Sequence, residues 1–162
     1  MISLLKMAQL DTNTVTFKQE DLFNKLLKPF EIQIDLKNIC IKKDIQQNNL
    51  NHLDISWTLE ALSNILKNNI EHIQEEGTIS IKMNQNPLYT EIIIQDNGPG
   101  IDKEDLPHLF ERFYKAKNAT NQSIGIGLAL SCMILEKQNG TIHVENTFPG
   151  AKFMIHFYHE II

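Results

Sequence analysis

A chain of 162 residues and 18.7 kDa has the length of a single domain and is long enough for one continuous core. With 42% hydrophobic and 22% charged residues it has an ordinary globular composition. Its net charge of −5 and thinly spread Lys and Arg exclude the basic stripe of a nucleic-acid footprint. A polyanion would have to be held by local devices such as Mg²⁺ and backbone N–H groups. Cys40 and Cys132 stand far apart and in no metal-ligand spacing, which predicts two reduced, mostly buried thiols in a cytoplasmic protein. No apolar run approaches the ~20 residues of a membrane span. Nor is there a signal-peptide pattern, so the chain is expected to be soluble and intracellular.

Residues 1–10 read as the end of an amphipathic helix, too apolar for one face alone and therefore expected to pack on a partner. Asp11 to Asn13 break it, and a short strand is expected over Thr14–Phe17. A helix should start near Asp21 as its cap and run through Leu22, Leu26, Leu27 and Phe30. Residues 39–45 read as a strand and 46–52 as a polar turn rich in Asn and Gln.

The helix expected over 56–73 is the most informative. At about 100° per residue, Leu59, Leu62, Leu66, Ile70 and Ile73 form one stripe. Trp57, Ala61, Asn64, Asn68 and His72 form a second, roughly opposite. Amides stand there instead of the Lys and Glu of a surface helix, which implies one face on a sheet and the other on a ligand. Strands follow over 78–83 and 89–96, joined through Asn84–Pro87, then a loop over 101–124 with one short helical turn. A helix over 127–138 stops at Asn139-Gly140. Two last strands, 141–146 and 151–158, flank Pro149-Gly150, with Phe153, Ile155 and Phe157 on one face. This mixed order predicts an α+β fold: a two-layer α/β sandwich with a mixed, mainly antiparallel sheet covered by helices on one face.

Three segments carry chemistry. Asn64 and Asn68, one turn apart, offer neutral amide oxygens of the hard kind that suits Mg²⁺; alone, they would equally be solvated or capping residues. Asp96-Asn97-Gly98-Pro99-Gly100 places a carboxylate at a strand end, able to accept from an amine, beside glycines that let a flat ring approach the backbone. It also has the composition of a plain turn. Gly125-Ile126-Gly127-Leu128 enters a helix, where exposed N–H groups suit phosphate. Leu130 replaces the third Gly of a dinucleotide fingerprint, and no Gly-Lys-Ser/Thr of a P-loop follows.

Taken in order, these segments resemble the N, G1 and G2 boxes of the GHKL ATPase superfamily, whose nucleotide-binding architecture is the Bergerat-type fold. Phe110-Glu111-Arg112-Phe113-Tyr114 is similar to the F box of histidine kinases, and 62–72 resembles their N box closely. The resemblance spans nearly the whole chain. It implies ATP and Mg²⁺ as cofactors, with Asn68 on the metal and Asn64 supporting it. It also implies His72 near the adenine, Asp96 accepting from the adenine amino group, and Gly98, Gly100 and Ile101 as the pocket floor. Residues 114–124 would form a lid, with Phe113 and Tyr114 at its start. Gly125, Ile126, Gly127 and Leu128 would meet the phosphates. Arg112, Lys115 and Lys117 are the cations available for the γ-phosphate, Lys115 first, and each is also a candidate solvated lid residue. Two departures stand out. Glu71 occupies a position where the family often has Lys or Arg, and Gln122 and Ser123 replace an upstream Gly.

Hydrolysing branches of the superfamily carry a Glu where this chain has Asn64, which cannot act as a base. The resemblance therefore implies phosphoryl transfer to a protein histidine, a reaction of positioning and charge neutralisation. Histidine kinases carry the acceptor on a dimerisation helix, followed by an acid. Among the six histidines only His159 precedes one, and it ends a strand. The expected organisation is a remnant of the second dimerisation helix over 1–12 and the catalytic domain over 13–162. The chain is expected to be a truncated, monomeric donor half. Its partners would be the dimerisation domain and a response regulator, in a full-length protein anchored at the membrane with this domain in the cytoplasm. The alternatives are another GHKL ATPase, an anti-sigma-type serine kinase, or a nucleotide-sensing module without transfer chemistry.

Overall fold

A computed structural model describes residues 14–46, 49–112 and 127–159. The elements are β1 (Thr14–Lys18), α1 (Gln19–Leu27), a 3-10 turn (Lys28–Phe30), α2 (Glu31–Leu36), β2 (Cys40–Ile45) and β3 (Asn49–Asp54). There follow α3 (Ile55–His72), β4 (Thr78–Gln85), β5 (Tyr89–Asp96), a 3-10 turn (Leu106–His108), α4 (Gly127–Lys137), β6 (Gly140–Asn146) and β7 (Ala151–Tyr158). Five strands form a sheet in the order β2-β4-β5-β7-β6, parallel only between β2 and β4. β1 and β3 make a separate antiparallel ribbon. The expected mixed, mainly antiparallel sheet with helices on one face is the observed architecture.

Strict alternation drives the sheet. Ile79, Ile81, Met83, Ile92, Ile94, Phe153, Ile155 and Phe157 all point to one face and are buried there. Against them pack Leu62, Leu66, Ile70 and Ile73 of the first stripe of α3, each at most 3% exposed. The second face of α3 is partly covered by α4: Ser131 Oγ donates to the Ala61 carbonyl at 2.9 Å. The first stripe thus meets the sheet as expected, while at Ala61 the second face meets α4, where the paired stripes had implied a ligand.

The ends of α3 are fixed by side chains. Asp54 caps the N-terminus by accepting from Trp57 N at 3.0 Å, a contact type worth ~1 kcal/mol. Gln138, just beyond α4, accepts from Asp54 N at 2.7 Å and donates to Thr58 Oγ1 at 3.2 Å, tying α4 to the start of α3. At the C-terminus the Lys37 ammonium donates to the carbonyls of Ile70 at 2.6 Å and Ile73 at 3.2 Å. A cation there satisfies carbonyls that the helix leaves unpaired and opposes its dipole.

Several expectations need correction. Part of the polar turn over 46–52 is strand β3: Leu50 and Leu53 are buried at 0% and 1% exposure, and pairing to β1 overrides the Asn-rich composition. The helix expected from Asp21 starts at Gln19, with Lys18 at its N-cap and no side-chain cap bond, so Asp21 sits inside the first turn. It does not run on through Phe30 but gives way at Pro29 to a 3-10 turn, and α2 follows where no helix was expected. β4 extends to Gln85, shortening the turn before β5. Cys40 is exposed rather than buried, since it opens β2 with its side chain on the uncovered face. The Cys132 thiol is pushed up to about 11 by burial and by Glu136. The helix expected over residues 1–10 and the unit expected over 1–12 lie outside the described residues.

Replacing the ammonium tests the C-terminal anchor of α3. Lys37→Met should lower unfolding free energy by about 1–2 kcal/mol in chemical denaturation while leaving the urea dependence unchanged.

Candidate functional site

The C-terminal half of α3, the end of β5 and the start of β7 enclose one cleft. Asn68, Asn69, His72, Asp96, Pro99, Gly100, Ile101, Asp102, Asp105, Leu109, Ala151 and Phe153 line it. Five residues singled out by sequence are therefore brought together: Asn68, His72, Asp96, Gly100 and Ile101. Gly98 is not among the residues that line the cleft. It is buried beneath the cleft, where a β-carbon would stand 3.5 Å from Ile73 Cα and 3.6 Å from the His72 carbonyl oxygen.

Asp96 is the most connected side chain of the site. Its Oδ1 accepts from Gly98 N at 2.9 Å and from Ala151 N at 3.3 Å. Its Oδ2 accepts from Asn69 Nδ2 at 2.5 Å. The strand end, the glycine loop, the helix and the β6–β7 hairpin are joined through one carboxylate. Behind it, Gly150 lies so close to the Asp96 carbonyl that no β-carbon could be accommodated, and its φ of +95° also favours glycine.

The loop after β5 is held by Asn146 at the end of β6. Its Oδ1 accepts from Ile101 N and its Nδ2 donates to Ile101 O, each at 2.7 Å, as a paired strand would. Gly100 adopts φ +79° to bring Ile101 into this register, and a β-carbon on it would stand 2.9 Å from Asn146 Oδ1. Sequence reasoning missed Asn69, Asn146 and Ala151, besides Asp102, Asp105, Leu109 and Phe153 of the lining. Asn69 carried a signal in its place on the amide-rich helix; Asn146 and Ala151 lie far along the chain and act partly through backbone groups.

Asn64 lies one turn before Asn68 and faces the start of α4: a β-carbon at Gly127 would be 3.6 Å from Asn64 Cγ. The first and third chemical segments therefore meet. Asn64 Nδ2 is buried with no hydrogen-bond partner among the described residues. Leu128 is half-buried and packs on the core. Arg112 is exposed and does not line the cleft; its guanidinium reaches Met133 Sδ on α4 at 3.9 Å. Glu71, at the position where the family often has a cation, lies 4.0 Å from Lys67. Phe113, Tyr114, Lys115, Lys117, Gly125 and Ile126 lie outside the described residues.

Among the described residues no three His, Cys, Asp or Glu side chains are grouped to hold a metal ion. Asn68 lines the cleft and its amide carries a hard oxygen donor, which fits Mg²⁺, an ion that takes one or two protein ligands and keeps the rest for water and phosphate.

This geometry, amides on a helix facing an anchored strand-end carboxylate, agrees with the comparisons to known proteins. The family described as histidine kinase-, DNA gyrase B- and HSP90-like ATPase matches residues 54–161. The chain belongs to this family. It is similar to sensor histidine kinase YclK of Bacillus subtilis, 28% identical over 156 residues, covering 93% of this chain and 33% of YclK. It is also similar to sensor histidine kinase YvrG of the same organism, 33% identical over 96 residues, or 58% of this chain and 17% of YvrG. The chain thus spans a third or less of these relatives. Among solved structures, the histidine kinase AdeS of Acinetobacter baumannii superposes with a TM-score of 0.81 at 25% identity, over 98% of this chain and 73% of that one. The histidine kinase ThkA in complex with response regulator protein TrrA shares the fold, with a TM-score of 0.78 at 22% identity over 97% of this chain and 45% of that one. The chain is an ATP-binding catalytic domain of the sensor-histidine-kinase kind.

The hairpin contact is the mechanical test of this site. Gly150→Ala should destabilise the fold by about 2 kcal/mol or more, from the left-handed φ and from displacement of Asp96 together. Asn146→Ala should weaken nucleotide binding while moving the melting temperature less than Gly150→Ala does, as read by calorimetry on both variants.

Proposed function

We propose that this domain binds Mg-ATP in the cleft between α3 and the loop after β5 and delivers the γ-phosphate to a histidine on a separate dimerisation domain. The observation that carries the reading is the convergence of Asn68 and His72 on one helix with the anchored Asp96 carboxylate across the cleft. Asp96 would accept from the adenine amino group, with Gly100 and Ile101 against the ring and His72 along its edge. Asn68 would offer its oxygen to Mg²⁺, which supplies charge neutralisation on the phosphates. Asn64 would support that end from beside Gly127, where the N-terminus of α4 favours negative charge.

Transfer then consists of attack by an imidazole nitrogen on the γ-phosphorus, cleavage of its bond to the bridging oxygen, and departure of ADP. Asn64, an amide, has no basic group with which to activate water, which supports transfer over independent hydrolysis. Arg112, Lys115 and Lys117 are the candidates for the γ-phosphate, with Lys115 the first choice. The dimerisation domain and a response regulator are the proposed partners, in a membrane-anchored sensor whose catalytic domain faces the cytoplasm.

Titrating Mg-ATP against wild type and Asn68→Ala tests the metal assignment. The variant should bind at least about tenfold more weakly with Mg²⁺ present and nearly equally when Mg²⁺ is chelated. Equal affinity in Mg²⁺ removes Asn68 from that role. Mixing the domain with Mg-ATP and a separately prepared dimerisation domain should yield acid-labile phosphate on the latter; steady ADP release without that domain would favour hydrolysis instead.

A further inference from the structure

One buried polar group in the cleft has a role that the readings above leave unused. Asn69 is 1% exposed yet lines the cleft, next to Asn68 but turned about 100° around the helix. Its Nδ2 donates to Asp96 Oδ2 at 2.5 Å, while its own Oδ1 is buried without a partner. An amide kept only for packing would be costly with one acceptor unpaired, since buried polar atoms are nearly always satisfied. The donor is therefore the half of this side chain that its environment has been built around.

The consequence lies in the lone pairs of Asp96. A carboxylate offers about four acceptor positions. Gly98 N and Ala151 N fill Oδ1, and Asn69 takes one of the two on Oδ2. One acceptor position remains, on the oxygen that Asn69 holds in place.

We propose that Asn69 is a positioning residue: by holding Oδ2 of Asp96 it leaves one acceptor position there, which reads the single donor of a 6-aminopurine. This rests on the nucleotide-site reading above and deepens it. Adenine presents one amino group beside a ring-nitrogen acceptor and needs one acceptor from the protein. Guanine presents two parallel N–H donors on its Watson–Crick edge and is matched by a carboxylate with both oxygens free. Here the second guanine donor would meet an oxygen already filled by two backbone N–H groups and would be buried unpaired. Such unpaired buried groups are what gives polar sites their discrimination.

The test compares ATP, GTP and purine ribonucleoside triphosphate, which lacks the 6-amino group, on wild type, Asn69→Ala and Asn69→Ser. Asn69→Ala should weaken ATP about tenfold and leave the 6-unsubstituted analogue within about twofold, narrowing the ATP-over-GTP ratio. Asn69→Ser, which keeps a donor, should recover part of the ATP loss. Thermal melts establish that each variant is folded; if Asn69→Ala is not, the near-isosteric Asn69→Leu reads the same ratios. Equal losses for ATP and the analogue, or no loss, overturn the role of Asn69 and leave the nucleotide site standing. A wild type that binds none of the three nucleotides overturns both.

Discussion

The carboxylate of Asp96 is the junction on which the rest of this site depends. It ends the central strand β5 and is gripped from three directions: by Asn69 on α3, by the backbone of the glycine loop at Gly98, and by the first residue of β7. The contacts from Asn69 and Ala151 cross between elements far apart in the chain, while that from Gly98 closes the local turn. A hydrogen bond to a charged group contributes about 1.5–3 kcal/mol, so a cluster of three is large against the few kcal/mol by which domains are stable. Fold and site share this interaction, and behind it the main-chain carbonyl of Asp96 leaves Gly150 no room for a side chain.

Helix α3 translates this junction into chemistry. Its sheet-facing stripe buries Leu62, Leu66 and Ile70, so the helix cannot rotate without exposing the core. With rotation fixed, Asn68 and His72 hold their bearing towards the cleft and Asn64 towards the start of α4. Asp54 and Gln138 fix one end and Lys37 the other, which limits sliding along the helix axis. The proposed metal end and base end of the site are thereby kept at a constant separation along one rigid element.

Much of this was legible in the sequence because periodicity reports burial directly. The alternation of β5 and β7 and the two stripes of α3 predicted elements, faces and partners together, and Asp96 with its glycines marked the strand end. β3 was hidden because Asn49, Asn51 and His52 give its segment a turn-like composition, although Leu50 and Leu53 reach the core. α2 was hidden because Pro29 reads as an end and because Ile32 and Leu36 are 74% and 76% exposed, giving no core-facing stripe. Asn146 and Ala151 were illegible for another reason. Their contacts to Ile101 and Asp96 are tertiary, and those of Ala151 use only its backbone, so side-chain identity carries no signal. Asn69 looked like a repeat of Asn68 until its burial separated the two roles.

The central claim is that Asp96 reads the base as a hydrogen-bond acceptor, and Asp96→Asn tests it most directly. The amide keeps the shape and one acceptor oxygen for Gly98 and Ala151, so the fold should survive, as a thermal melt can establish. It turns a donor towards the cleft. Binding of ATP should then fall at least about tenfold while inosine triphosphate, with a keto oxygen at the same position, should gain relative to ATP. A folded Asp96→Asn domain that still prefers ATP to inosine triphosphate as the wild type does would contradict the account.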